Sequence, residues 1–302
     1  MNQACLYHRA NQVQRHDAEQ IIKEYSNILQ WRSDGSDALL DVGSGSGDVL
    51  MDFIYTIMPP KFKRIVGSDI SPKMINYAKN VYNLKERCDF RVLDIGTERD
   101  IPNDMKQQFD HVTSFYCLHW IQNQRQALQN IYNLLRVEGG DCLLVFLAAN
   151  PIFDVYKLLS KSSKWSNYMK DVDQFISPLH YSNDPKLEFS AMLKAVGFSN
   201  VHVELKHKVY VYEGLEILKD NVKAVCPFLD RIPLSLHDSF MDDFINIVTS
   251  LDLRQDHHSN ELDYTFNSPY KLVIAYAQKS PRNVRASISD MISPSKVEKG
   301  LN

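Results

Sequence analysis

Short apolar runs alternate with stretches of helical period through the first half of this chain, and few folds accept that pattern. Ala38 to Val42, Arg64 to Ser68, Phe90 to Leu93, His111 to Phe115 and Asp141 to Leu147 each read as a buried strand. Residues 48–58, 72–82 and 123–135 carry apolar side chains at helical spacing, with Ser71 as N-cap before Pro72 and Gly139-Gly140 closing the last of these helices. Strands joined through helices run parallel, so repeated βα units with short connections predict a doubly wound α/β sheet. A lone amphipathic helix within residues 11–31, with Ala18, Ile21, Ile22, Tyr25, Ile28 and Leu29 at helical spacing, precedes the first strand.

The second half departs from this alternation. Residues 151–196 carry an aromatic-rich helical pattern, and Val201 to Tyr212 and Tyr270 to Ala277 read as two strands pairing antiparallel at the sheet edge. About 55 residues separate those strands, far more than a hairpin needs. They hold Leu215, Leu218, Val222, Val225 and Phe228, then Phe240, Phe244, Ile247, Val248 and Leu251, at helical spacing, and such an insertion is either a functional lid or a structural buttress. Residues 281–302 lose periodicity and gain Ser, Pro and Lys, the composition of a disordered tail. The expected division is 1–150 for the N-terminal helix and ligand-binding core, 151–280 for cap helices and the last two strands of the same fold, and 281–302 for the tail.

Thirty-four Lys and Arg against 37 Asp and Glu give a net charge of −3, so no global positive field draws phosphate backbones or anionic lipid, and no nucleic acid is expected as a partner. Cys5, Cys88, Cys117, Cys142 and Cys226 are odd in number and lack metal-site spacing, which suggests no disulfide framework, no metal and a reducing compartment. The first seventeen residues lack an apolar signal core, and the run Cys142 to Ala149 is too short for a membrane span. A cytoplasmic location is expected.

Three glycines fall within five residues in Asp41-Val42-Gly43-Ser44-Gly45-Ser46-Gly47-Asp48, between a predicted strand and a predicted helix. In that place glycine lets the backbone turn tightly and approach a ligand at the carboxyl edge of the sheet. A dinucleotide fingerprint has its third glycine where this chain has Asp48, and no lysine follows as in a P-loop. The carboxylates of Asp41 and Asp48 would also repel a pyrophosphate, so a neutral or cationic ligand fits better. Asp69 at the end of the second strand can accept two ribose hydroxyls, and Asp94 after the third can accept an adenine amino group. Each Asp alone is more often a turn or capping residue; acids at three successive strand ends read as ligand contacts.

This loop, with Asp69 and Asp94, resembles the S-adenosylmethionine-dependent methyltransferases of the seven-stranded Rossmann-like class I. The resemblance implies S-adenosyl-L-methionine as cofactor, with Asp41 and Gly43 near its amino acid portion, Asp69 on the ribose, and Asp94 with Ile95 around adenine. Gly45, Gly47, Ile70 and Phe115 complete the implied cofactor contacts. Ser114 to Trp120, the loop that presents acceptors in this class, lacks the N-P-P-Y quartet, which favours a small molecule over a base or glutamine. Tyr7 to Ala18, Phe115 to Ile121, Pro151 to Tyr156 and Phe175 to Pro178 together resemble the insect juvenile hormone acid O-methyltransferases over about residues 1–280. That resemblance implies methyl transfer to the carboxylate of farnesoic acid or juvenile hormone acid, giving methyl farnesoate or juvenile hormone, a late step of juvenile hormone biosynthesis. It assigns Gln14 and Trp120 to the substrate carboxylate.

The chemistry is compatible. Methyl transfer from a sulfonium is an in-line displacement in which the protein supplies alignment and dehydration. A carboxylate acceptor is ionised at neutral pH and needs no base, whereas a phenol or amine must lose a proton. Neutral donors suit such an acceptor: the Trp120 indole, the Gln14 amide and His119. By type and position alone, Trp120 is core or an adenine wall, Gln14 a solvated helix residue, and His119 a satisfied loop histidine. An isoprenoid tail needs an apolar sleeve, for which the helices of 151–196 and 215–251 offer Phe153, Tyr156, Trp165, Phe175, Phe228 and Phe240, most of them ordinary core taken singly. The expected substrate contacts are Tyr7, Gln14, Trp120, Phe153 and Tyr156, with Gln14, Trp120 and His119 nearest the chemistry and a substrate cap formed by the helical insertions. Two readings remain beside this one: a methyltransferase for another small acid or phenol with His119 as general base, and a non-catalytic lipid binder, which the intact loop opposes. A nicotinamide dehydrogenase is opposed by the glycine spacing, and the oligomeric state, a homodimer included, stays open.

Overall fold

The computed structural model describes residue 8, residues 10–256 and residues 264–281. Tyr7 and the expected tail beyond Pro281 lie outside the described residues. Helix α1 (Gln12–Tyr25) precedes β1 (Ala38–Val42); then follow helical turn α2 (Tyr55–Ile57), β2 (Arg64–Asp69), α3 (Pro72–Val81), β3 (Cys88–Val92), β4 (His111–Phe115), α4 (Gln124–Leu134) and β5 (Gly140–Ala149). The second half adds α5 (Pro151–Ser160), α6 (Pro185–Val196), β6 (Ser199–Glu213), α7 (Leu215–Val225), α8 (His237–Ser250), β7 (Arg254–Asp256) and β8 (Tyr264–Lys279).

These strands form one sheet in the order β3-β2-β1-β4-β5-β8-β6, with β7 pairing to β8. The first five run parallel, and β8 and β6 join antiparallel, so the second half of the chain completes the sheet of the first. Side chains alternate between two apolar layers: Leu39, Ile65, Leu143 and Val145 face one, while Leu40, Val66, Val112 and Leu144 face the other. With both faces covered, β1 is buried along its whole length.

Three local features differ from expectation. The segment 48–58 is a π-helical turn, Leu50–Ile54, running into α2; the wider turn buries Leu50, Met51 and Ile54 and leaves Asp52 outside, paired with Arg15. Gly139 and Gly140 do not close α4, which ends at Leu134. They lead into β5, which Gly140 begins; Gly139 takes φ +115°, and a Cβ on Gly140 would lie 2.6 Å from the Asp110 carbonyl oxygen. Strand β7, three residues long, is too short for periodicity to reveal.

At the amino edge of the sheet, His111 lies between two buried carboxylates, 2.6 Å from Asp141 Oδ1 and 2.9 Å from Asp37 Oδ1. Burial pushes its imidazole toward the neutral form, but the hydrogen bonds and charges of Asp141 and Asp37 outweigh it and raise the pKa to about 9. A group raised in the folded state stabilises fully below its unfolded value of 6.5 and loses that contribution as pH climbs through about 9. Urea unfolding should therefore show the protein losing stability between those limits, by at most on the order of 3 kcal/mol. The less stable His111→Gln variant should lack this part of the decline; an identical decline in both proteins would refute the assignment.

Candidate active site

The glycine loop folds back over the end of β2, with the backbone N–H groups of Gly43 and Ser44 both donating to the Ser68 carbonyl at 2.7 and 2.8 Å. Its three glycines do different work. Gly43 has φ +76°, and a Cβ there would lie 2.4 Å from Cys117 Cβ. Gly45 donates its N–H to Asp69 Oδ2 at 3.0 Å. Gly47, at φ +84°, leaves room for the Phe90 ring, 2.9 Å from where its Cβ would sit, and so serves packing.

The two loop acids also differ. Asp48 is buried, yet Ser46 Oγ, Asn11 Nδ2 and Arg15 Nη1 donate to it at 2.7, 2.7 and 2.8 Å. Burial, the largest influence, pushes this carboxyl up; the three donors and the Arg15 charge outweigh it and bring the pKa below the usual value. Its charge is compensated, so the repulsion of a pyrophosphate expected from Asp48 loses its basis. Asp41 is buried beneath the loop and accepts from Thr113 Oγ1 at 2.7 Å. Burial, with added repulsion from Asp69 and Asp48, holds it up at about 7. It lies behind the cleft described next and does not line it.

A cleft of about 1430 Å³, its open mouth included, runs along the carboxyl ends of the first strands. Gly43, Asp69, Ile70, Asp94 and Ile95 all line it. Ser71 N–H donates to Asp69 Oδ1 at 2.8 Å and Gly45 N–H to Oδ2, which fixes the carboxylate while leaving a lone pair on each oxygen for a ligand. Burial raises the Asp69 pKa. Asp94 is exposed and accepts from Gly96 N–H at 2.9 Å; Ile95 is buried, and Ile70 stands 66% exposed at the rim. Phe115 is packed in the core and lines neither this cleft nor the cavity beside it.

That second cavity, about 960 Å³, is lined by aliphatic side chains, among them Val13, Val155, Leu218, Val222 and Val248, and by about as many aromatic ones, among them Tyr212, Phe244 and Phe266. The cleft and the cavity share Tyr116, Trp120 and Val225. Gln14 and His119 also line the cavity, and Gln14 Oε1 and His119 Nδ1 are buried with no partner among the described residues. Burial lowers His119 to about 3, so its imidazole is neutral. Trp120 meets Phe153 edge to face at 6.2 Å, and Phe153 lines the cavity. Tyr156 does not; it packs in the core against Phe228 and Phe244. Trp165, Phe228 and Phe240 are core as well, and Phe175 lines the cleft instead, so apart from Phe153 the aromatic part of the sleeve comes from other rings than those expected, Tyr212, Phe244 and Phe266 among them. Tyr116, missed by sequence reasoning, occupies the junction at φ +55°. A left-handed aromatic residue leaves no mark in a single sequence.

Residues 40–140 match the family model of a methyltransferase domain. Over 284 residues, 94% of this chain and 94% of the relative, the sequence is 59% identical to juvenile hormone acid O-methyltransferase of Drosophila melanogaster. The same-named protein of Bombyx mori is 43% identical over 92% of this chain and 98% of its own length. The chain belongs to the juvenile hormone acid O-methyltransferases. Its fold is similar to that of the YcgJ protein from Bacillus subtilis, with a TM-score of 0.56 at 16% identity, over 88% of this chain and 99% of that one. Haemonchus contortus phosphoethanolamine N-methyltransferase 2, solved in complex with S-adenosyl-L-methionine, gives a TM-score of 0.50 at 17% identity, over 88% of this chain and 52% of that one. These likenesses establish the Rossmann-like class I methyltransferase fold, and membership of the family makes the protein a methyltransferase. Among the described residues, no helix is long and apolar enough to cross a membrane.

Gly43→Ala should expose the constraint on the loop. A side chain there meets both an unfavourable φ and the Cβ and Sγ of Cys117, so equilibrium unfolding should show a loss of about 2 kcal/mol or more. An unchanged urea midpoint would contradict it.

Proposed function

We propose that the protein transfers a methyl group from S-adenosyl-L-methionine to the carboxylate of an isoprenoid acid, farnesoic acid or juvenile hormone acid. The observation that carries this reading is the meeting of two unlike cavities at Tyr116 and Trp120, one edged by carboxylates and the other mainly apolar. The cleft fits an adenosine-bearing cation. Asp69 keeps acceptor capacity for a ribose diol, Asp94 and Ile95 suit an adenine, and the pKa values of Asp41 and Asp69, raised chiefly by burial, mark negative charge that the protein itself leaves under-compensated. When bound there, S-adenosyl-L-methionine supplies an electrophilic sulfonium methyl.

The chain's own residues then have simple tasks. Gln14 and Trp120 orient the acceptor oxygen through amide and indole N–H groups, a half-turn of the Gln14 amide placing Nε2 where Oε1 now stands. His119 is a neutral positioning residue, because an imidazole held near 3 is too weak a base to deprotonate a phenol. The apolar wall excludes water and takes the isoprenoid tail, and in that low dielectric a cation and an anion that neutralise each other react more readily. The free thiols Cys88, Cys117, Cys142 and Cys226 accord with a cytoplasmic enzyme.

Asp69→Ala should weaken S-adenosylhomocysteine binding by about tenfold or more, since a charge-assisted contact is lost. Calorimetry with unchanged affinity would remove the ribose from this acid.

Turnover of farnesoic acid, juvenile hormone acid and phenolic acceptors with labelled cofactor tests the acceptor. With a carboxylate acceptor, kcat/KM should not climb between about pH 7.5 and 9.5. Replacing Gln14 or Trp120 should cost up to about a hundredfold, the scale of a misplacement near 1 Å. His119→Ala should cost less and keep the profile's shape. A steady rise toward alkaline pH that vanishes in His119→Ala would instead establish phenol chemistry.

A further inference from the structure

Tyr116 borders both cavities, yet nothing in its own chain segment explains why its ring stays there. The backbone at Tyr116 is left-handed, φ +55°, a conformation unfavourable for any side chain with a Cβ and maintained only where surrounding contacts impose it. Its hydroxyl donates to Asp17 Oδ2. Asp17 is a fully buried carboxylate on α1, and it takes a second hydroxyl on the same oxygen, that of Tyr270 from β8, at 2.8 Å. Lys208 from β6 donates to Oδ1 and also reaches Gln20 Oε1 at 2.9 Å. A buried carboxylate without a cation would be prohibitively costly, and Lys208 compensates it.

Three segments of the chain, the one following β4, β6 and β8, therefore converge on one α1 carboxylate behind the cavity wall. Tyr116 and Tyr270 both line the cavity, but Asp17 does not; their hydroxyls are committed away from it, and their rings make the wall. Gln14 lies one turn before Asp17 on the same helix, so the bonds that hold Tyr116 also hold the helix that carries the amide.

We propose that Asp17 is a positioning residue for methyl transfer, anchoring the Tyr116 ring in the wall shared by the cofactor cleft and the acceptor cavity, with Lys208 as its counter-charge. This rests on the reading of the two cavities given above. An in-line displacement is sensitive to small errors of alignment, so loosening this ring should appear in kcat more than in binding.

Tyr116→Phe removes one oxygen atom and keeps the ring, which makes it the decisive variant. It should lower kcat for farnesoic acid by about tenfold or more, while KM and the affinity for S-adenosylhomocysteine change by less than about threefold. Tyr270→Phe loses a bond to the same carboxylate oxygen, but its ring does not border the cleft, and its effect on kcat should be about fivefold smaller or less. A crystal structure of Tyr116→Phe with S-adenosylhomocysteine should show the ring displaced from the wall. A ring that stays in place, a wild-type kcat in Tyr116→Phe, or equal losses in the two variants would overturn the proposal. If the wild-type protein fails to methylate farnesoic acid, the substrate reading falls, and the ring position still decides the anchoring role.

Discussion

At the carboxyl end of β1 the backbone passes Cys117 with no room for even one side-chain carbon on Gly43. Everything around the site follows from that crowding. Close approach lets the loop lie flat enough for Gly43 and Ser44 to share the Ser68 carbonyl, which brings Gly45 N–H onto Asp69. The acid at the end of the second strand is thus held by the loop after the first. A bulkier loop would separate β1 from the segment following β4, and with it the cleft from the cavity.

The sheet keeps charge at both edges but treats it in opposite ways. At the amino edge His111 lies between Asp37 and Asp141 and supplies them with a shared cation of the protein's own. At the carboxyl edge Asp41 has a threonine hydroxyl where Asp37 has an imidazolium, and burial raises its pKa accordingly. Both edges hold buried carboxylates; at the site's edge Asp48 is compensated by Arg15, whereas Asp41 is paired with a hydroxyl. This difference sets the His111 cluster apart from Asp41 beneath the glycine loop, and residue type alone would not have distinguished them.

How much of this could be read from the sequence depends on the range of the interaction. Ala38–Val42 and His111–Phe115 coincide with observed strands because a fully buried parallel strand writes its burial directly into apolar side chains. Asp69 and Asp94 were legible because strand ends fix which edge they occupy. The errors arose where a residue answers to a distant neighbour. Gly47 accommodates Phe90, more than forty positions away; Asp48 is neutralised by Arg15; and Tyr156 belongs to a core built with Phe228 and Phe244. Tyr116 was invisible for the same reason, since its partners Asp17 and Tyr270 lie 99 positions before it and far along in β8.

Helix α1 illustrates what such long-range bonds accomplish. Its sequence is that of an ordinary amphipathic helix, with Ala18, Ile21, Ile22 and Tyr25 buried, and apolar contact alone would permit some sliding along the sheet. Polar bonds fix its register. Arg15 and Asn11 tie its start to Asp48 of the glycine loop, Asp17 ties the next turn to Tyr116 and Tyr270, and Glu24 and Tyr25 tie its end to Lys206 and Glu204 of β6. Hydrophobic burial is non-directional and secures the helix to the sheet; directional bonds to charged groups determine where Gln14 comes to rest. Because the first tie involves the loop beside the cleft and the second the wall of the cavity, the placement of Gln14 depends on both cavities being correctly formed.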